Sequence, residues 1–204
     1  MRVVLASASP RRRELLAAAG FDVDVDPIIV DETRGPVEAP AAYVERLARS
    51  KAQAAAGHDA ECAVIGADTV VVVDDDVLGK PRDAEDAARM LRRLAGRAHE
   101  VLTGVAVVWR GRTLSHVERT TVWFARLSEN DIAWYVASGE PMDKAGAYAI
   151  QALASRFVRK IDGSYSNVVG LPVAAVIELL QKAGVPGDPP EWGRVASTPN
   201  GVVS

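Results

Sequence analysis

The sequence is poor in the residues that cross-link small secreted proteins or build thiolate metal sites. Its 204 residues contain one cysteine, Cys62, which lies in the apolar run 62–65. A single cysteine excludes a disulfide framework and a cysteine-based zinc site within one chain, and it favours a reducing compartment.

The longest apolar runs, such as 171–177, are far shorter than the roughly 20 residues that span a bilayer, and the apolar start is too short for a secretory signal. We therefore expect a cytoplasmic protein with no membrane partner.

Neither sign of charge is in large excess. The chain has 24 lysines and arginines against 27 aspartates and glutamates, a formal net charge of -3. Proteins that coat nucleic acid are basic, so we expect no stable nucleic-acid complex.

With 49% hydrophobic residues, a chain of this length can bury a sizeable core. We expect one domain over residues 1–184 and a flexible C-terminal tail over 185–204, where three prolines precede Trp192 and periodicity is weak.

Hydrophobic periodicity predicts an α/β fold with a mixed central β-sheet flanked by helices. Strand and helix patterns alternate in the first half, whereas the second half has the pattern of hairpins. Ser9 is the predicted N-cap of the first helix, and Asp83 and Ser128 are predicted to cap two others. The turn at 162–163 is expected to close a last hairpin. The predicted strands are 3–5, 21–25, 63–65, 70–73, 101–109, 113–124 and 157–161, and the predicted helices are 10–20, 41–56, 83–96, 128–136 and 171–184.

The common nucleotide-binding and metal-binding fingerprints are missing. There is no Walker loop and no G-x-G-x-x-G after a predicted strand. The three histidines, His58, His99 and His116, are far apart and none lies in an H-E-x-x-H pattern, so we expect them to be surface or structural residues.

Two charged residues stand in apolar surroundings. Asp68 follows Gly66 and Ala67 between two apolar segments, where a carboxylate is costly unless it is paired, hydrogen-bonded or bound to a metal. An equally good interpretation is a turn aspartate that bonds local backbone. Lys51 interrupts the stripe formed by Val44, Leu47 and Ala54, so its stem could cover the core while its tip reaches a cleft. A lysine that snorkels to the surface is the alternative.

The other candidates suit an anionic ligand. Arg11, Arg12 and Arg13 at a helix start oppose the positive end of the helix dipole, and a polyphosphate docked there would offset this conflict. Lys80, held extended before Pro81, could add another cation. Glu32 could form a hard-cation site with Asp68. The alternatives are a tolerated arginine cluster, a solvated loop lysine and a solvated acidic loop.

Five motifs occur in order along the chain: LASASPRR at 5–12, GADTVV at 66–71, GKP at 79–81, SGEP with DKAGAY at 138–148, and GSYSNVVGLP at 163–172. From about residue 5 to 179 the chain therefore resembles the Maf family, whose members are described as septum-formation inhibitors and as nucleoside triphosphate pyrophosphatases. The resemblance implies a two-lobed architecture related to the inosine triphosphate pyrophosphatases (an anticodon-binding-like fold) with a central cleft, and often a homodimer.

The resemblance also implies the chemistry. Asp68 would be the catalytic carboxylate, as general base or metal ligand, and Glu32 would help it hold Mg²⁺ or Mn²⁺. Ser7, Arg11, Arg12, Lys51 and Lys80 would contact the substrate phosphates. Arg11, Lys80 and the Ile150–Gln151 pair resemble the branch that acts on dTTP and UTP rather than the one preferring 7-methyl-GTP, and the Gln151 amide suits the edge of uracil or thymine. Ala152 stands where the family usually has glycine.

Three functions follow as competing hypotheses. The first is a house-cleaning pyrophosphatase for dTTP, UTP and modified pyrimidine nucleotides. The second is a non-catalytic, nucleotide-responsive regulator that blocks septum formation through a cell-division partner. The third is a purine-directed pyrophosphatase acting on ITP, XTP or 7-methyl-GTP, which Gln151 disfavours.

Overall fold

The structure, a computed structural model, describes residues 1–57 and 62–186. Within them seven strands and six α-helices alternate with three short 3₁₀ segments, at Glu140–Asp143, Ala145–Ala147 and Leu153–Phe157. The strands are β1 Arg2–Leu5, β2 Asp22–Val25, β3 Ala63–Val73, β4 Asp76–Leu78, β5 Ala98–Trp109, β6 Arg112–Phe124 and β7 Val158–Asp162. The helices are α1 Pro10–Ala18, α2 Pro40–Ala55, α3 Ala84–Leu94, α4 Glu129–Ala137, α5 Tyr165–Val169 and α6 Val173–Ala183.

The strands form one mixed sheet, which confirms the predicted fold class. Its order is β2-β1-β3-β5-β6-β7, with β4 paired to the far end of β3. β1 runs parallel to both β2 and β3, whereas all pairs from β3 to β7 are antiparallel. The parallel strands are connected through helices, as their geometry requires, whereas tight turns connect β3 to β4 and β5 to β6.

The largest difference from the predicted elements concerns β3. The sequence pattern predicts two strands around a loop at 66–69, but the backbone continues as one strand and pairs with β5 from Val64 to Val72. Asp68 is therefore a strand residue opposite Gly104, which excludes the turn interpretation. The ladder with β5 supplies the backbone hydrogen bonds that keep this polar stretch extended.

Glycine in this sheet marks a close approach of a helix rather than a turn. A Cβ on Gly66 would lie 2.2 Å from the carbonyl oxygen of Ala48, and a Cβ on Gly104 would lie 2.2 Å from that of Val44. Only glycine leaves room for the α2 backbone at both positions. The two glycines thus allow α2 to pack closely against β3 and β5, and this contact brings Lys51 next to the sheet.

Helices cover both faces of the sheet. α2 packs on the face that carries Val64, Ala106 and Val108, and α1 and α6 pack on the face that carries Ile65 and Val105. Alternation along β3 places Asp68 on the α2 face and Thr69 on the other. A third core under α3 and α4 contains Val71, Val101, Val122, Tyr135 and Tyr148.

Smaller predictions have mixed outcomes. Asp83 and Ser128 cap α3 and α4 as predicted. Ser9 occupies the N-cap position of α1, but its side chain makes no capping bond. The turn at 162–163 leads into α5 and not into another strand. Ala54 is exposed and the buried stripe of α2 runs through Ala55, because the helical repeat is 3.6 residues.

Two predictions fall partly or wholly beyond the described residues. The predicted tail begins at Val185, and its residues 187–204 lie outside the described part of the chain, as does His58. Among the helices that are described, none has the length and hydropathy to cross a membrane.

Candidate active site

A gap along one edge of β3 creates a cavity. β1 pairs with β3 only as far as Ile65, and β4 joins the same edge only from Val71 onward. The backbone between them has no neighbouring strand on that side, and loops that follow parallel strands meet there, as ligand-binding loops do in open α/β sheets. The cavity has a volume of about 570 Å³, within the range of small-molecule sites. Its charged and hydroxyl-bearing lining residues are Ser7, Ser9, Arg11, Arg12, Glu32, Tyr43, Lys51, Asp68, Thr69, Lys80, Asp143 and Tyr148.

Lys51 joins the two predicted carboxylates. Its Nζ lies 2.7 Å from Asp68 Oδ1 and 2.7 Å from Glu32 Oε1. The side chains of Lys51 and Asp68 are 10% and 15% exposed, whereas that of Glu32 is 60% exposed on its loop. The stem of Lys51 crosses the core and its ammonium group reaches the cavity, so the cleft interpretation is the one that the structure supports.

Arg12 is buried and its guanidinium is directed at the protein. Nε donates to the Gly170 carbonyl at 2.8 Å, Nη1 donates to the Ala67 carbonyl at 2.8 Å and to Ser7 Oγ at 3.0 Å, and Nη2 donates to Thr69 Oγ1 at 3.0 Å. Burial lowers the pKa of Arg12, and the nearby charge of Asp68 opposes that shift. Arg12 therefore links α1, β3 and the end of α5 at the unpaired edge of the sheet. Because an arginine has five N–H groups and the protein already accepts four hydrogen bonds from Arg12, little donor capacity is left for a ligand.

Arg11 and Lys80 are the accessible cations of the cavity. The Arg11 side chain is 26% exposed, and its Nη1 lies 3.3 Å from Asp143 Oδ2. Asp143 also pairs with Lys144; although burial raises the pKa of Asp143, the hydrogen bond and charge of Lys144 and the charge of Arg11 outweigh it and lower that pKa. Lys80 follows β4 and is exposed. Arg11 can exchange its contact with Asp143 for phosphate oxygens, and Lys80 can bind them directly.

The structure brings all but one of the predicted site residues to this cavity. Gln151 is exposed and is not part of the lining, so its contact with a base stays a prediction.

Sequence reasoning missed Tyr43, whose hydroxyl donates to the Glu32 carbonyl at 2.8 Å. Burial and then the charges of Asp68 and Glu32 raise the pKa of Tyr43. Its position two helical turns before Lys51 could have indicated it.

A hard divalent cation binds carboxylates and other oxygen ligands. In the described part of the chain, no group of three or more His, Cys, Asp or Glu side chains gathers as a metal site. Glu32 and Asp68 nevertheless share one partner at the cavity wall. Mg²⁺ is typically bound by one or two carboxylates together with substrate phosphates, and two carboxylates beside phosphate-binding cations fit that pattern.

Comparisons with known proteins agree with this geometry. The sequence profile of the family described as Maf-like protein matches residues 2–183. The chain is 56% identical to a dTTP/UTP pyrophosphatase of Vibrio cholerae, over 89% of this chain and 97% of that protein. It is 55% identical to a dTTP/UTP pyrophosphatase of Anaeromyxobacter dehalogenans, over 91% of this chain and 95% of that protein.

A likeness among solved structures supports the fold. The Ham1 protein of Staphylococcus aureus superposes with a TM-score of 0.54 at 15% identity, covering 89% of this chain and 99% of that one. At this identity the likeness concerns the architecture alone. Together, the profile match over residues 2–183 and the relatives above half identity show that the chain belongs to the Maf family.

Proposed function

We propose that the chain is a nucleoside triphosphate pyrophosphatase that hydrolyses dTTP and UTP to the monophosphate and pyrophosphate. The observation that carries the proposal is the Lys51 ammonium between Asp68 and Glu32, in a cavity that also presents Arg11 and Lys80. The pair of substrates is that of the relatives, which are dTTP/UTP pyrophosphatases. Attack on a polyanion needs an activated water and neutralised phosphate charge, and these residues can supply both.

In this mechanism Asp68 is the general base. Its carboxylate accepts a proton from the attacking water, the water oxygen bonds to phosphorus, and the phosphoanhydride bond to the departing pyrophosphate breaks. Lys51 fixes the carboxylate through the 2.7 Å contact with Oδ1. Because an ammonium group has three donors and two are used here, the third can reach a phosphate oxygen.

The remaining residues bind and hold the substrate. Arg11, Lys80 and Ser7 contact the phosphates in this proposal, and Arg12 supports Ser7 from below through its 3.0 Å hydrogen bond. Glu32 and Asp68 would hold Mg²⁺ or Mn²⁺, which when bound supplies charge neutralisation at the phosphates. The homodimer, the cell-division partner, the cytoplasmic location and the contact of Gln151 with a base remain predictions of the sequence.

The test is pyrophosphate release by the purified protein with Mg²⁺ or Mn²⁺ across dTTP, UTP, CTP, GTP, 7-methyl-GTP and ITP. We expect selective turnover of dTTP and UTP, and a loss of about 10³-fold in kcat for Asp68→Asn, as for other general bases. The asparagine can still accept the Lys51 hydrogen bond, so the fold should persist. Asp75→Asn is the matched control, because Asp75 is an exposed turn residue with φ of 62°, which asparagine tolerates.

The outcomes separate the hypotheses. Retained activity in Asp68→Asn would remove Asp68 from the mechanism. A preference for ITP or 7-methyl-GTP would establish the purine-directed enzyme. Folded protein that turns over no nucleotide with either metal would favour the septum regulator, for which Asp68→Asn should still arrest division when overproduced.

A further inference from the structure

The cavity lining combines charged and apolar residues. Ser7, Arg11, Lys51, Asp68 and Lys80 are among its polar and charged members. An apolar wall is formed by Val71, Val101, Ala145, Tyr148 and Val169, which also belong to the core under α3 and α4 or pack against it. If the triphosphate binds the cations, as the proposed function requires, the flat and weakly polar nucleobase is the part of the substrate that fits the apolar wall.

Tyr148 brings a hydroxyl group to this apolar wall. The residue is 6% exposed, and its Oη lies 2.8 Å from Nε2 of the buried His99. Burial raises the pKa of Tyr148, so the hydroxyl keeps its proton at neutral pH. Burial also lowers the pKa of His99 to about 4, so its ring is neutral and carries one N–H. Either group can therefore be the donor in this hydrogen bond.

The other ring nitrogen decides between the two arrangements. His99 Nδ1 is buried and has no hydrogen-bond partner, and the ring of Phe124 lies edge-on with its centroid 5.0 Å from that of His99. If Tyr148 were the donor, the His99 proton would sit on Nδ1 as an orphaned buried N–H group, which is rare in native proteins. If His99 donates from Nε2, Nδ1 is a bare acceptor, and the tyrosine proton is left for another partner.

We infer that His99 donates from Nε2 to the Tyr148 oxygen and thereby directs the Tyr148 hydroxyl proton into the cavity, where it donates to a carbonyl oxygen of the bound pyrimidine base. Tyr148 then contacts the substrate, and His99 is a positioning residue behind it. This inference rests on the proposed function and adds a base contact three residues before Gln151, on the wall that Gln151 does not reach.

Binding measurements test the contact. Dissociation constants are measured for a non-hydrolysable α,β-imido analogue of dUTP and for inorganic tripolyphosphate, with the wild type, Tyr148→Phe and Tyr135→Phe. Tyr135 is the matched control because it is a buried tyrosine outside the cavity lining whose hydroxyl donates to Glu140 at 2.7 Å. We expect Tyr148→Phe to weaken the nucleotide analogue three- to tenfold, the usual effect of one neutral hydrogen bond, and to leave tripolyphosphate and the Tyr135→Phe variant unchanged.

The positioning role has its own readouts. The ring ¹⁵N chemical shifts of His99 should show protonation at Nε2 and a bare Nδ1, without any substrate present. His99→Gln, which keeps an N–H donor, should retain most of the nucleotide affinity that His99→Leu loses, and KM should change more than kcat.

The inference is overturned if His99 carries its proton on Nδ1, if Tyr148→Phe binds the analogue as well as the wild type, or if it weakens tripolyphosphate to the same degree. An equal loss in Tyr135→Phe would show that the effect is structural. Failure of the proposed function is a different result, because it would appear as a wild type that does not turn over dTTP or UTP selectively.

Discussion

Two neighbouring arginines on α1 differ sharply in their surroundings. Arg12 is buried and gives four hydrogen bonds to protein groups, whereas Arg11 is partly exposed and has one long contact with Asp143. The same contrast separates Lys51, held by two carboxylates, from the exposed Lys80. The cavity thus has a floor, formed by Arg12, Lys51, Asp68 and Thr69, and a rim, formed by Arg11, Ile29, Glu32 and Lys80. The floor residues are held by other groups of the protein, whereas the rim residues are more exposed.

The largest expected effect separates the two arginines. Arg12→Ala leaves the Ala67 carbonyl without its partner and the Gly170 carbonyl with only a longer hydrogen bond from Thr69 Oγ1. It should lower the free energy of unfolding by about 3 kcal/mol and also abolish activity. Arg11→Ala should change that free energy by less than about 0.5 kcal/mol and reduce kcat/KM ten- to hundredfold. Urea denaturation and steady-state kinetics on both variants check this. Equal stabilities would remove the distinction between floor and rim.

The second effect concerns His99, which is buried behind Tyr148. Its pKa is lowered to about 4 from the 6.5 of an unfolded histidine, so between these values the unfolded chain binds more protons than the folded one. The free energy of unfolding should therefore fall as pH falls from 6.5 to 4, by about 3 kcal/mol. Denaturation at several pH values checks this. His99→Gln should reduce the slope, whereas His116→Gln, at an exposed histidine, should keep it.

A tenfold effect is expected at the rim. Lys80→Ala should lower kcat/KM for dTTP by about tenfold without changing stability, because an exposed cation contributes by attracting the anionic substrate. The loss should shrink as salt is raised and screens the charge. Lys182→Ala is the control, since Lys182 is an exposed lysine on α6 away from the cavity. A Lys80→Ala variant with unchanged kinetics at low salt would exclude Lys80 from the phosphate site.

The smallest effect tests the apolar part of the rim. Ile29 and Val37 lie in the same loop and are 99% and 97% exposed, but only Ile29 lines the cavity. Ile29→Ser should raise KM about threefold through lost apolar contact with the nucleoside, and Val37→Ser should leave KM unchanged. Steady-state kinetics on both variants is sufficient. A similar change in both would mean that the loop acts as a whole rather than through Ile29.

Most elements could be predicted because their signals are local. Asp83 and Ser128 cap helices as expected, and Pro10 and Gly184 mark helix ends. The loop predicted at 66–69 was wrong because its small and polar residues are held extended by β5, a partner more than 30 residues away. Gly66 looks like a turn residue in sequence, and only the packing of α2 shows that it makes room for a helix.

The candidate site was predictable in part. Buried charges such as Lys51 and Asp68 are conspicuous in sequence, because an apolar environment tolerates them only with partners. Which cation binds protein and which faces solvent was not predictable, since Arg11 and Arg12 are adjacent and chemically identical. Burial against Gly170 and Ala67 decides it.

The sequence by itself determined the family motifs, the alternation of helices and strands and the identity of the charged residues, because each depends on neighbouring positions along the chain. Only the tertiary structure decided that β3 is continuous, that its free edge between β1 and β4 is the cavity, and that His99 stands behind Tyr148. These features depend on contacts between residues distant in sequence. A pattern of neighbouring residues does not specify such contacts, because they form only when the sheet assembles.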